Sequence, residues 1–566
     1  MTGFPAVIFY GVSIMNEELI MEYRKLDKEL ADFAWMLQVR SKENPCFLLP
    51  TVENRDIVRK KRDELQARAE ALDAKDGVFA IWKEHFVDFA KAQKLNAERY
   101  FNEPSGPVGV MMGRMEELVR SDSREPKVKY AEYLALARQL PAVMEAFAER
   151  KLELGEGAFL GISYAVEAWD EIWDWCMERI LPECGEVPEF AETMAVLRWQ
   201  LSVWSEMAKV IQTTDKPVSE VSDGEQILKF EEEYYRTLLH DNLGVELDEL
   251  LAWHEEEIQK TRAEVFAIAN ALDIPENRPE DMNAVNEILL KYAGPCDTPD
   301  EMFERGREYL ERAQTAAREY VWMPDDEHCA LVGVPESLKV SFPWGGYEGG
   351  DGRRRPIYGQ FFLNHYNFKA VTDGWIKMQA IHEAYPGHHV QYVRSITDYL
   401  PETAKIGVKE VPIIEGTAHR SERVFEFVYP EDPFYPLFVA YRRHHTAVRI
   451  KADLMLRYYG NPVKDVVKLY MDELGFDYQT ARGQVKAQES MEGYFTCYYY
   501  GMKKLCDWEK QYGFDEKTYT ELLFSAGNVS LENFERFLKL SEEDKKRYCR
   551  EFCGLYRDER EIWNCG

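Results

Sequence analysis

Residues 382–389 read His-Glu-Ala-Tyr-Pro-Gly-His-His, which puts three of the chain's 11 histidines and one carboxylate in a single short stretch. Imidazoles and carboxylates bind zinc, and a Glu beside a His ligand is placed to act as general base on an activated water. The zinc-protease pattern, His-Glu-x-x-His, sets its histidines one helical turn of about 5.4 Å apart. Here His388 and His389 come later than that. On an unbroken helix His389 would share the face of His382 but stand about 10 Å along the axis, and His388 would point off that face. Neither could close a chelate with bonds of about 2.1 Å. Pro386 removes a backbone donor and clashes with the preceding turn, whereas Gly387 tolerates unusual backbone angles. A loop or π-bulge at Tyr385-Pro386-Gly387 would absorb the extra residues and return one late histidine to the ion. The plainer alternative is a helix that stops at Pro386, with solvent-facing histidines after it.

The elements that must position this octet are mostly helical. The run 375–381 predicts a helix entering it, and Val390-Gln391-Tyr392-Val393 resumes apolar character. Apolar spacing of three and four predicts helices over 16–42, 52–100, 128–151, 158–181, 189–213, 224–240, 245–272 and 298–321. Thr298, with Glu301 three residues on, reads as a helix start. Breakers cluster at 102–108, 182–188, 214–223 and 273–280. The stretch 322–364 changes character. Residues 338–342 and 357–363 alternate like strands around a Gly-rich loop, Trp344 to Gly352, which lacks the Lys and following helix of a phosphate loop. Such a sheet would offer an edge to a substrate backbone. Beyond 372 the pattern is helical to about residue 545.

Composition narrows the function classes. A length of 566 residues allows a large core, and 45% hydrophobic with 13% aromatic content argues for order. A net charge of −31 argues against nucleic acid and anionic membranes as partners. No apolar run reaches the length of a transmembrane helix. The apolar stretch Phe4 to Met15 lacks the basic start and cleavage site of a signal peptide. Ten cysteines without a Cys-x-x-Cys pair suit a reducing compartment, and a cytoplasmic enzyme is expected.

The octet resembles the His-Glu-x-x-Pro-Gly-His motif of the domain of unknown function 885 family, which is itself similar to the gluzincin metallopeptidases. Further stretches resemble that family in order: Gly350 to Tyr358, Glu415-Gly416-Thr417-Ala418 with Ser421-Glu422-Arg423, and Gly493 to Tyr498 with Gly501. Together they cover roughly residues 340 to 505. The resemblance implies a mainly α, large helical gluzincin-like metallopeptidase fold, with a small antiparallel β element next to the metal-binding helix. It selects His388 over His389 as second ligand and Glu415 as third, with His382 the first. One zinc ion would be held, other divalent metals remaining open. Glu383 is then the general base and Tyr498 the candidate oxyanion donor. Glu422 shares a helix face with Glu415 and would orient a ligand histidine. His389 becomes a supporting or substrate-facing group.

Departures from the family pattern, such as Thr417 where Trp is usual, point to an altered pocket. Arg353, Arg420 and Arg457 flank the metal motifs in an otherwise acidic chain and suit an anionic small-molecule or short-peptide substrate. Residues 1–321 are expected to form an N-terminal helical half covering the cleft and 322–566 the metal-binding catalytic half, the two integrated into one unit. The expected activity is zinc-dependent hydrolysis of a peptide-like or small amide bond. The alternatives are metal-dependent cleavage of a C–N or C–S bond in a small anionic metabolite, and a metal-stabilised binding protein without turnover.

Overall fold

A computed structural model describes residues 6–40, 46–120, 122–159, 161–183, 189–212, 229–275, 278–336, 339, 342–352, 354–398 and 401–551. The chain divides into two compact units. The first comprises 1–217, 398–408 and 536–557; the second comprises 218–397, 409–535 and 558–566. The division expected at 321/322 falls inside the second unit. There the helices Leu247–Ala271 and Pro299–Ala317 pack onto elements that follow residue 372.

The first unit is helical throughout its described residues. The expected helix 52–100 is two, Val52–Ala71 and Gly77–Asn102. Asp76 separates them because its carboxylate accepts the backbone N–H groups of Val78 and Phe79, as an N-cap does. Tyr130, Tyr133, Phe147, Trp169 and Phe190 build an aromatic core. The return segment Glu402–Ile406 is tied in by Asp27, which accepts the N–H groups of Glu402 and Thr403, each at 3.0 Å. His85 lies beneath this tie, its Nε2 3.1 Å from Thr403 Oγ1.

The second unit joins helices to a three-stranded sheet, β1 (Glu327–Gly333), β2 (Gly345–Gly349) and β3 (Ile357–Leu363), in the order β1-β3-β2. β1 runs parallel to β3 and β2 antiparallel, so the sheet is mixed, not antiparallel as expected. The expected strand 338–342 lies mostly outside the described residues; Lys339 is in a turn and Phe342 in a bend. The Gly-rich stretch read as a loop contains β2. Its glycines give no strand signal in the sequence, yet a Cβ on Gly345 would strike the Phe362 carbonyl, so the close approach to β3 requires Gly. Thr298 caps its helix as expected, accepting the Glu301 N–H at 3.2 Å, while Glu301 accepts the N–H of Asp297 at 2.9 Å. No described helix is long and apolar enough to cross a membrane.

Candidate metal centre

The helix Asp373–Gln379 carries the chain into the octet. At Ala380–Ala384 it widens into a π turn, closed by the Tyr385 N–H donating to Ala380 O at 3.0 Å. Pro386 has no N–H to continue the ladder, and it biases the residue before it towards extended backbone. Tyr385 accordingly has φ −129° and ψ 114°. Gly387 then passes so close to the carbonyls of Ile381 and His382 that any Cβ would collide with them. A new helix, His388–Thr397, begins at once. The break turns two histidines that a straight helix would separate into neighbours, with ring centres 4.9 Å apart and planes at 88°.

Glu415 comes from the helix Val411–Val424, which crosses Thr496–Tyr512 at a glycine pair. A Cβ on Gly416 would meet the backbone of Gly501 and Met502, and one on Gly501 would meet the Pro412 carbonyl. This crossing brings Glu415 Oε2 to 3.4 Å from His382 Nε2 and 3.5 Å from His388 Nε2. Ligand atoms at the corners of a tetrahedral zinc site with bonds of 2.0–2.1 Å stand about 3.3–3.5 Å apart.

The surrounding hydrogen bonds engage the Nδ1 atom of each imidazole. His382 Nδ1 donates to Glu422 Oε1 at 2.8 Å. His388 Nδ1 donates to Gln391 Oε1 at 2.8 Å, and Gln391 is oriented by its Nε2, which donates to Ile414 O at 2.9 Å. Each Nε2 is thereby left facing Glu415 Oε2, the atom that could ligate an ion. Glu415 Oε2, which they face, is buried without a hydrogen-bond partner. Three potential ligand atoms thus converge, and a divalent cation fits that set. Burial disfavours charge on His382, but Glu415 and Glu422 outweigh it and push the ring up to about 10. Burial likewise opposes ionisation of Glu415, yet His388 and His382 hold it well below the carboxylate range. His388 keeps 17% of its side chain exposed, so solvent reaches the cluster.

Other residues complete the surroundings. Glu422 is fully buried and also accepts from His419 Nδ1 at 2.9 Å; His419 Nε2 meets Thr446 Oγ1 at 2.8 Å. Tyr494, overlooked in the sequence although it lies in the Gly493–Tyr498 motif, donates its hydroxyl to the other oxygen of Glu415. Of the three consecutive tyrosines, only Tyr498 stacks on an imidazole of the cluster, its ring 6.2 Å from that of His382 at 7°. Tyr499 and Tyr500 turn away to Glu257 and Glu249. Glu383 sits half-buried on the π turn, free of hydrogen bonds and ion pairs among the described residues.

The remaining candidates lie elsewhere. His389 does not face substrate: it is fully buried, with Nε2 2.9 Å from Glu327 Oε2 and Nδ1 3.0 Å from the Tyr347 hydroxyl. Burial pushes this ring below its usual value against the pull of Glu327. Glu327, at the start of β1, also accepts from Tyr385, Gln314 and Arg318, and so anchors the octet to the sheet. Arg420 is a structural cation, clamped by Glu509 and Thr520 over the Tyr519 ring. Arg457 donates to the carbonyls of Gln488 and Glu489 and lies over Phe230, 3.8 Å from Asp453. Both are engaged by these partners, none of which belongs to the cluster. Arg353 lies outside the described residues.

The family described as "Bacterial protein of unknown function (DUF885)" matches residues 51–538. Among solved structures, the chain is similar to a provisionally assigned lipoprotein from Colwellia psychrerythraea. That match has 15% identity and a TM-score of 0.69, over 92% of this chain and 98% of that one. It is also similar to a provisionally assigned lipoprotein of unknown function from Shewanella oneidensis, with 15% identity and a TM-score of 0.67, over 92% of this chain and 100% of that one. These similarities speak to the fold alone. No curated protein matches.

Proposed function

The chain belongs to the DUF885 family, and from the geometry of its buried cluster we propose that it is a zinc-dependent hydrolase of a peptide-like or small amide bond, with a gluzincin-like ligand set of His382, His388 and Glu415. One observation carries this reading. Two imidazole nitrogens each lie 3.4–3.5 Å from one buried oxygen of Glu415, an oxygen with no hydrogen-bond partner among the described residues. Zinc held there would supply Lewis acidity and lower the pKa of a water at its open position.

The protein's own groups do the rest. Glu422 and Gln391 hold the two imidazoles in the ligating tautomer. Tyr494 holds Glu415 by its second oxygen. Glu383, beside the first ligand and unengaged, takes the proton of the attacking water on its carboxylate and passes it to the leaving amine. Tyr498, stacked on His382, is the candidate donor to the oxygen that gains charge.

The test is amine release from a panel of N-acyl dipeptides by zinc-loaded protein, with metal content measured alongside. Glu383→Gln is expected to retain one zinc per chain and lose turnover by at least a hundredfold. Full activity in that variant would remove the mechanism.

A further inference from the structure

Buried arginines in this protein normally have a carboxylate. Arg420 has Glu509, Arg394 has Glu521 and Arg150 has Glu153. Two on the helix Tyr435–Asp453 break the pattern. Arg442 and Arg449 lie two turns apart on one face, each only 6% exposed. Arg449 forms no ion pair among the described residues; its Nη2 donates to Gln484 Oε1 at 3.0 Å, an oxygen that also lies 3.1 Å from His445 Nε2. Among the described residues Arg442 comes no closer to a carboxylate than 3.9 Å, and that carboxylate is Glu422, already occupied by His382 and His419. Its Nε and Nη1 are buried without hydrogen-bond partners.

Unpaired buried charge is costly, and the chain has 101 acidic side chains from which a partner could have come. The pair also borders the metal cluster. The guanidinium carbons of Arg442 and Arg449 stand 5.7 and 5.4 Å from the centre of the Tyr498 ring, the ring that stacks on His382. Trp375 and Phe495 wall the two cations at 5.5 and 4.6 Å. A guanidinium fork matches a planar carboxylate, and aromatic walls keep it from water.

We propose that Arg442 and Arg449 receive the terminal carboxylate of the substrate, so that the protein reads the end of an N-acyl amino acid or short peptide. A single ring separates the arginines from the ligand His382, and a residue spans about 3.3–3.6 Å. The bound carboxylate therefore lies within about three residues of the scissile bond, and internal bonds of long chains are excluded. The bond cleaved rests on the hydrolase reading above, but the carboxylate site does not.

The test uses full-length, zinc-loaded Glu383→Gln protein and two probes, N-acetyl-dialanine and its C-terminal amide, titrated calorimetrically. The free acid is expected to bind at least tenfold more tightly than the amide. Arg442→Gln and Arg449→Gln, each added to that background with unchanged circular dichroism, are expected to erase the difference. Equal binding of acid and amide, binding of neither, or a preference that survives both substitutions would overturn the proposal. Absence of amine release from either probe by the unsubstituted protein, with the binding preference intact, would count against the hydrolase reading alone.

Discussion

Glu422→Gln perturbs the cluster without touching a ligand. The carboxylate receives Nδ1–H of His382 at 2.8 Å and Nδ1–H of His419 at 2.9 Å, one on each oxygen. Glutamine offers one acceptor and one donor in the same volume, so only one ring can keep its tautomer. If His382 loses its acceptor, its proton moves to Nε2 for part of the time, and the lone pair that faces Glu415 is gone. A hydrogen bond to a charged group contributes about 1.5–3 kcal/mol net. Loss of such a supporting contact typically lowers metal affinity about 10–100-fold, or roughly 1.4–2.7 kcal/mol. The assay is competition for zinc against a chromophoric chelator at fixed pH, with thermal melts of the metal-free proteins as a control for folding. Zinc affinity within twofold of the unsubstituted protein would refute the claim that Glu422 orients His382.

Two further expectations follow from neighbouring geometry. His388→Asn is expected to abolish stoichiometric zinc binding. His389→Asn is expected to keep the zinc and instead destabilise the fold by about 1–3 kcal/mol, since it leaves Glu327 short of a buried donor; metal analysis and denaturant melts of both variants check this, and the reverse pattern would contradict the ligand assignment. His85 gives a pH dependence remote from the cluster. Burial pushes its pKa from 6.5 down to about 3, so the native ring stays neutral where the unfolded one is charged. Its contribution is fully present above pH 6.5 and is lost as pH falls towards 3, at a slope near ~1.4 kcal/mol per pH unit. His85→Gln should flatten the stability profile between pH 6 and 4 by about that slope, and an unchanged profile would show that the ring is not buried neutral.

Much of the candidate cluster could be read from residue types, because its three residues lie in short motifs whose departures have local causes. Pro386 and Gly387 announce a broken helix, since one lacks a donor and the other lacks a Cβ. The octet alone could not decide between His388 and His389, because the choice depends on a π turn that starts at Ala380, before any unusual residue. Apolar spacing on either side of Asp76 suggested one long helix, because the periodicity continues across the cap that divides it. Glu327 and Tyr494 escaped notice because each matters only through a contact made far along the chain. The same holds for the arginines. Arg420 and Arg457 looked available for a substrate, and only the three-dimensional distribution of carboxylates shows that they are paired while Arg442 and Arg449 are not.

The central claim is that His382, His388 and Glu415 hold one metal ion. Crystals of zinc-loaded protein, measured on both sides of the zinc absorption edge, test it most directly. The account predicts a single anomalous peak at bonding distance, about 2.0–2.2 Å, from Nε2 of both histidines and from Glu415 Oε2. No peak there, or a peak bound through His389, would contradict it.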